Sequence, residues 1–402
     1  MSINARLGNL DFPAPPIVPR LQRRALLLGL VFTAATIAGF ILEPAQALHS
    51  YLLAFMFCLG LTLGSMGLLM VWHLTGGDWG VMIRRILEAA MATLPMLAVA
   101  FIPVLLSAYF HLNYPWASPE ELAHSEHLRR VAQQYLSPNL FLFRGLVYFI
   151  AWGVLVYYLR YWSRAQDQPP DRAFSARYRA LSAAGIVVYG WTLTFAVIDW
   201  VMSLSPEFTS SIYGLIFLVG QALIALCFVV IVAHVLRSSL PMSEVLQPRN
   251  FLDYGKLMLT FVMLWAYFSF SQWLIVWNGN LPEEIHWFED RIHGDWGVVA
   301  FALILGHFVI PFALLLSRPL KQDSRKLVWV AAWLILMRYL DLYWNIEPNF
   351  SKQGVHFSWL DAVIPIAMFG LWLAYFFWNL NRRPLVVLHD PHLRAVLGKQ
   401  HE

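Results

Sequence analysis

The stretch AWLILMRYLDLYWNIEP, residues 332–348, decides the class of this protein. Its apolar side chains are typical of a membrane helix, yet Arg338 and Asp341 lie in its middle. A charge at the centre of a bilayer costs from about 3 to more than 10 kcal/mol, so a buried arginine and a buried aspartate need a reason. The two residues are three positions apart and share one face of a helix, so we expect them to form an ion pair.

The composition of the whole chain is that of a polytopic membrane protein. Of its 402 residues, 59% are hydrophobic and 13% are charged, whereas a soluble domain carries roughly 25% charged residues. Apolar stretches of about 20 residues are long enough to cross the roughly 30 Å of hydrocarbon in a bilayer. We predict an all-α integral membrane protein with ten transmembrane helices, covering approximately residues 25–42, 49–74, 85–109, 140–162, 179–203, 210–236, 254–279, 295–318, 326–346 and 359–380.

The distribution of positive charge predicts the orientation of these helices. Most of the 28 lysines and arginines lie in the N-terminal segment, the even-numbered loops and the C-terminal tail, whereas the odd-numbered loops are acidic. Because cytoplasmic loops carry the excess of basic residues, we expect both termini to be cytoplasmic. Cleavage of a signal peptide after Ala47 is an alternative, but the long basic lead favours an uncleaved first helix. The net charge of +4 follows from this topology and predicts no nucleic-acid partner.

A short repeat suggests internal duplication. IDWVMSLSPEF (198–208) and LDLYWNIEPNF (340–350) share an aspartate, a proline and a phenylalanine in register. We predict two parallel four-helix bundles, helices two to five and six to nine, flanked by helices one and ten. Chance similarity between aromatic membrane helices is the alternative. The predicted division is a cytoplasmic segment (1–24), the first helix (25–48), the first bundle (49–208), the second bundle (209–350), and the last helix with a cytoplasmic tail (351–402).

Several polar residues lie at membrane depth in the predicted helices. Intramembrane acids and histidines commonly mark proton paths, so we predict a relay in which Arg338 holds Asp341 ionised or releases it. An ion pair that only locks the helices together is the alternative. For Glu88, a surface ion pair with Arg84 is the alternative. The candidates are Glu88 near the cytoplasmic side, Gln221 and His307 near the middle, and Arg144, Asp199, Arg338 and Asp341 in the outer half.

The sequence predicts no metal or redox cofactor in this chain. Cys58 and Cys227 lie in separate helices without CxxC spacing, which argues against a cysteine-ligated iron–sulfur cluster. A b-type haem needs two histidines at similar depth, and His307 alone is deep. His73 and His234 lie near helix ends, where an interfacial position is the simpler interpretation.

One motif pair resembles a known family. The run GDWG-x-x-I-R-R-x-L-E-A at 77–89 and the YPWA at 114–117 are similar to the NrfD-like, or polysulfide-reductase-like, quinone-interacting membrane subunits of bacterial alternative complex III. The resemblance implies a ten-helix protein of the bacterial inner membrane with two four-helix bundles. It also implies partners: a sister NrfD-like subunit, an iron–sulfur subunit, multihaem and monohaem cytochrome c subunits, and, as a further candidate, a terminal oxidase. The c-type haems and iron–sulfur clusters would belong to those partners.

These observations predict a membrane subunit of a quinol:cytochrome c oxidoreductase that contributes a proton path. The resemblance leaves open whether a quinone binds this chain. One alternative is direct quinol binding, in which Asp199 accepts a quinol proton. A structural scaffold and an ion-coupled secondary transporter are the others. Against transport, Pro95 and Pro103 in helix three have no proline counterpart in helix seven.

Overall fold

A computed structural model gives the structure of the chain and describes residues 14–167, 175–352, 354–387 and 393, with only the backbone at residue 283. Helices account for 84% of it, and the described residues form no strand. Ten helices are long and apolar enough to span a membrane, which confirms the predicted fold class. They are α1 (Ile17–Leu42), α2 (Pro44–Thr75), α3 (Asp78–Tyr109), α4 (Pro138–Ala165), α5 (Ser175–Leu204), α6 (Tyr213–Leu236), α7 (Pro248–Gly279), α8 (Gly294–Leu316), α9 (Ser324–Asn349) and α10 (Leu360–Asn381).

The first three helices begin earlier than predicted. α1 begins at Ile17 rather than at residue 25, α2 at Pro44 rather than at 49, and α3 at Asp78 rather than at 85. Hydropathy marks only the part of a helix that matches the hydrocarbon layer, whereas the backbone hydrogen bonds continue into the polar flanks. The predicted boundary between the segment 1–24 and the first helix therefore falls inside α1.

α2 and α6 form the centre of the molecule. The apolar window of α2 is 100% buried inside the protein and that of α6 is 83% buried, against 22% for α1 and α7. α2 packs against α1, α3, α5, α6, α9 and α10. Protein therefore surrounds α2, while the outer helices present apolar side chains to lipid.

Contacts between neighbouring helices form two rings of four helices each. In the first, α2 packs on α3, α3 on α4, α4 on α5, and α5 on α2; in the second, α6, α7, α8 and α9 do the same. α10 packs along α1 and also contacts α2. This contact order is compatible with two four-helix bundles, and the sequence duplication between them stays a prediction.

Two of the spanning helices are interrupted. α3 consists of Asp78–Met91, Leu94–Ala100 and Ile102–Tyr109, and Pro95 and Pro103 follow the two breaks. Proline lacks the N–H that would continue the ladder, which explains both breaks. α8 contains a π-helical turn at Ile304–Val309, a feature often found at functional sites. α7 is continuous, so α3 and α7 do not share matching breaks.

We name the two faces of the bundle by the chain ends. The terminal face is the one at which α1 begins and α10 ends, and the opposite face is the one at which α2 and α10 begin. Contacts between helix ends define both faces: Arg383, after α10, lies 3.6 Å from Glu88 in the first part of α3, and Asp361 of α10 bonds to Ser50 of α2.

Candidate functional site

Arg338 and Asp341 form the predicted ion pair inside the protein. The Arg338 guanidinium donates to Asp341 Oδ2, and both residues are almost fully buried. Trp265 Nε1 of α7 donates to the same carboxylate oxygen at 3.2 Å, and Asn345 Nδ2 lies 3.4 Å from the other oxygen. The carboxylate is thus held by three donors from two helices.

A glycine in α6 makes room for the Arg338 side chain. A Cβ built on Gly220 would lie 2.3 Å from Arg338 Cζ, so a larger residue there would displace the guanidinium from its present position. The guanidinium carbon also lies 5.1 Å from the centre of the Phe217 ring, one helical turn earlier, which is a cation–π distance. Arg338 Nε has no hydrogen-bond partner. The guanidinium therefore keeps one spare donor inside the bundle.

His307 lies next to this pair, in the π-helical turn of α8. Its side chain is fully buried, and neither ring nitrogen has a hydrogen-bond partner. The ring centre is 4.1 Å from that of Trp265, the residue that donates to Asp341. Because a buried polar atom without a partner costs roughly 1 to 3 kcal/mol, an ordered water is the expected partner of His307.

Asp199 and Arg144 form a second ion pair, in which Asp199 is fully buried and Arg144 is partly exposed. The sequence predicts a similar depth for the two residues but no contact between them. Arg144 Nε and Nη2 donate to the two oxygens of Asp199 at 2.8 and 2.9 Å, and Tyr148 Oη donates at 2.7 Å. Arg144 Nη1 donates to the carbonyl of Tyr135 at 2.9 Å. Burial, with the nearby Asp199 carboxylate, raises the pKa of the Tyr135 hydroxyl.

Gln221 lies in the core of α6, apart from both pairs. Its Oε1 accepts a hydrogen bond from Tyr189 Oη at 3.0 Å, and its Nε2 has no partner. In the described part of the chain, no hydrogen bond connects Gln221 to Arg338 or to Asp199. The structure places it in the middle of the bundle, as expected.

Glu88 is buried, so its interpretation as part of a surface ion pair is wrong. Its oxygens accept hydrogen bonds from Arg84 Nε and Arg85 Nη1, both at 2.8 Å, and from Ser163 Oγ at 2.7 Å. Arg85 also pairs with Asp167 beyond the end of α4. The start of α3 packs beneath the end of α4, and this packing removes the two arginines and the acid from solvent.

Three further charged residues are buried near the opposite face. The sequence predicts Asp361 at the start of helix ten in the outer half of the membrane, and it places Arg291 and Glu347 in loops. Arg291 donates to the carbonyl of Asn345 at 3.1 Å and to Asn349 Oδ1 at 2.9 Å, and burial lowers its pKa to about 10. Asp361 accepts from Ser50 Oγ at 2.6 Å and from Gln46 Nε2 at 3.1 Å. Glu347 is also buried. Nothing in the local sequence distinguishes Arg291 and Glu347 from exposed charges.

The candidate residues therefore form separate groups distributed from one face to the other. The Glu88 cluster lies at the terminal face, Gln221 and His307 lie in the middle, and the two arginine–aspartate pairs lie toward the opposite face. Within the described ranges, no hydrogen-bonded chain of side chains joins these groups. The same residues include no set of three or more His, Cys, Asp or Glu side chains positioned to hold a metal ion.

Comparison with known proteins adds no relative. The chain matches no protein-family model and no curated protein.

Proposed function

We propose that this chain is a membrane subunit of a quinol:electron-acceptor oxidoreductase and that it carries part of a proton path. It would correspond to one of the two NrfD-like membrane subunits of bacterial alternative complex III, in the inner membrane with both termini cytoplasmic. Its partners would be the sister NrfD-like subunit, which is the better candidate for quinol oxidation, the iron–sulfur subunit and the cytochrome c subunits that hold the haems. The motifs at 77–89 and 114–117 support the assignment to this assembly.

The Arg338–Asp341 pair next to His307 carries the proposal of proton transfer. Replacing a buried ion pair with apolar residues is often neutral or stabilising, so stability alone is a weak reason for a protein to keep one. Here the pair lies beside the imidazole of His307. That imidazole is buried in a π-helical turn, and its two nitrogens have no hydrogen-bond partner among the described residues. A relay needs an acid that can bind a proton, a base beside that acid and an arginine with a spare donor.

In the proposed path, protons pass between the groups through bound water. The side-chain groups are separate, and the unpartnered atoms of Gln221 and His307 are where water would bind. Asp341 accepts a proton when the Arg338 guanidinium turns away from it, and it releases the proton when the pair forms again. Arg144 and Asp199 would act in the same way in the other bundle.

The test is a pumping measurement on the whole complex carrying Asp341→Asn. Asparagine keeps the size and most of the hydrogen bonds of aspartate but removes its titratable proton. We expect the complex to assemble and the number of protons translocated per quinol to fall. The matched control is Asp253→Asn, which removes an exposed acid that pairs with Lys256 at the start of α7. Translocation at the wild-type ratio in Asp341→Asn would refute the role of this residue.

Purification distinguishes an assembly subunit from a transporter. A subunit of the proposed complex extracted in mild detergent should bring c-type haem with it, visible as a Soret band that follows the chain through size exclusion. A secondary transporter would elute alone and without haem. If the chain elutes without haem while it still transports an ion, the assignment to the oxidoreductase complex is contradicted.

Direct quinol binding remains the second candidate because a recess lies near the Asp199 end of α5. It has a volume of about 420 Å³ and is lined by Met202, Ser210, Ile212, Gln272, Ile275 and Glu284, among others. Three of its eight lining residues are apolar and five are polar, so a quinone would find both apolar contacts and hydrogen-bonding partners there. Labelling of this recess by a photoreactive quinone would favour this alternative.

A further inference from the structure

A cluster of arginines at the terminal face contains donors that no acid satisfies. Arg85, Arg160 and Arg383 line a narrow recess together with Glu88, Asn379 and Leu380. Its volume is about 10 Å³, room for about one water-sized group. The recess lies where α3 begins and where α4 and α10 end.

Glu88 cannot neutralise all three arginines. Its two oxygens already accept hydrogen bonds from Arg84, Arg85 and Ser163. Arg383 Nη1 comes no closer than 3.6 Å to Glu88 Oε2, and among the described residues neither terminal nitrogen of Arg383 has a hydrogen-bond partner. Arg383 is therefore a cation facing the recess without a bonded acceptor.

The other two arginines also have spare capacity. The Arg85 side chain is only 2% exposed and its Nε has no partner. Arg160 donates to the neutral amide oxygen of Asn379 at 3.0 Å. Burial and the neighbouring arginines lower the pKa of Arg383 to about 10 against the attraction of Glu88, so it remains charged at neutral pH. Three arginines and one glutamate line the recess, and Asp167 pairs with Arg85 from outside the lining. These five groups together carry a net charge of +1.

The position of the recess indicates the source of an anion. It opens between the ends of spanning helices, which lie at the level of the lipid headgroups when such helices cross a bilayer. Beside it, the Arg382 guanidinium carbon is 3.5 Å from the centre of the Trp378 ring, an arrangement suited to the membrane interface. A phosphate group in the headgroup layer would meet the three arginines of the recess, Arg85, Arg160 and Arg383, without leaving the membrane surface.

We propose that this recess binds the phosphate group of an anionic phospholipid, with one phosphate oxygen entering between Arg383, Arg160 and Arg85. Arginine forks match phosphate oxygens, and hydrogen bonds between ions are about twice as strong as neutral ones. Basic pockets between membrane helices bind such headgroups in general. A zwitterionic phosphatidylcholine would bring its choline cation to the same arginines, so the recess should prefer phosphatidylglycerol.

The test compares lipid retention by the full-length chain in nanodiscs. The discs contain phosphatidylcholine with a minor fraction of phosphatidylglycerol, and native mass spectrometry counts the lipids that remain on the released protein. We expect wild type to retain one phosphatidylglycerol in preference to phosphatidylcholine, and Arg383→Gln to lower that retention about tenfold because a charged donor pair is lost. Arg383→Lys should restore part of it.

Arg382→Gln is the matched control. It removes an adjacent arginine that is exposed and that lies outside the recess, so retention should stay at the wild-type level. Equal retention by Arg383→Gln and wild type would overturn the proposal. If Arg383→Gln fails to fold, wild type alone decides, because equal retention of phosphatidylcholine and phosphatidylglycerol would also overturn it. Displacement of the lipid by millimolar inorganic phosphate would assign the recess to a free anion and refute the lipid.

Discussion

At the scale of single residues, the two halves of the molecule satisfy their buried aspartates differently. Asp199 lies near the end of α5 and pairs with Arg144 from the neighbouring helix α4. Asp341, which the predicted repeat aligns with Asp199, lies in α9 and pairs with Arg338 one turn earlier on the same helix. Each acid also accepts from an aromatic donor, Tyr148 or Trp265. The charge balance is therefore alike in the two halves, although the cation comes from a different helix in each.

A double-mutant cycle on Arg144 and Asp199 should show strong coupling. Arg144→Leu leaves a fully buried carboxylate without its cation and should cost about 3 to 5 kcal/mol, as should Asp199→Leu, whereas the double change should recover most of that loss. Thermal unfolding in detergent measures all four proteins.

The exposed pair of Arg130 and Glu126 serves as the control, since surface pairs contribute little. An Arg144→Leu protein as stable as wild type would contradict the expected dependence of Asp199 on its cation.

Only one of these two pairs was predictable from the sequence. Arg338 and Asp341 are three residues apart, and helix geometry alone puts them on one face. Arg144 and Asp199 are 55 residues apart, and their contact depends on how α4 and α5 are rotated about their axes, which no local pattern determines. For the same reason, the sequence does not predict that Arg291 is buried, because its partners Asn345 and Asn349 lie on α9.

At the scale of helices, a close backbone contact joins α2 to α6 at Gly64. A Cβ on Gly64 would lie 2.1 Å from the carbonyl oxygen of Gln221, which is backbone and cannot move aside. Small residues at such crossings allow two membrane helices to approach closely. The central helix pair therefore depends on glycine at this position.

Gly64→Ala should force α2 and α6 apart and lower the unfolding temperature by several degrees or more. Gly153→Ala in α4 is the matched control, because a Cβ there meets no atom within 4 Å and alanine is the better helix former. Intrinsic tryptophan fluorescence during heating gives both values. Equal unfolding temperatures for the two variants would show that the α2–α6 contact is adaptable.

Helix number was more predictable than helix ends or helix irregularities. Ten apolar runs gave ten helices because the bilayer thickness sets a minimum length that each run satisfies. The breaks in α3 follow from Pro95 and Pro103, residues that the sequence shows. The π-helical turn around His307 has no comparable sequence signal, since Pro311 alone does not distinguish it from an ordinary kink.

At the scale of the whole molecule, the charge distribution predicts which face meets the cytoplasm. Single cysteines at Ser238, between α6 and α7, and at His286, between α7 and α8, should react with an impermeant maleimide from opposite sides, Ser238→Cys from the cytoplasm. Cys58 and Cys227 are buried and should stay unlabelled, so unsubstituted protein is the control. Position 170, another site for such a probe, lies outside the described residues. Reaction of both cysteines from one side would require a different helix count.

The packing of α10 along α1 and α2 has a consequence for biosynthesis. α10 leaves the ribosome after α1 and α2 and completes their contacts. Until α10 is inserted, the side of α2 that it covers has no final neighbour, and α1 has no close partner for Gly29, whose Cβ position touches the backbone of Leu371. Release of the chain before residue 360 would therefore leave an open groove along α1 and α2.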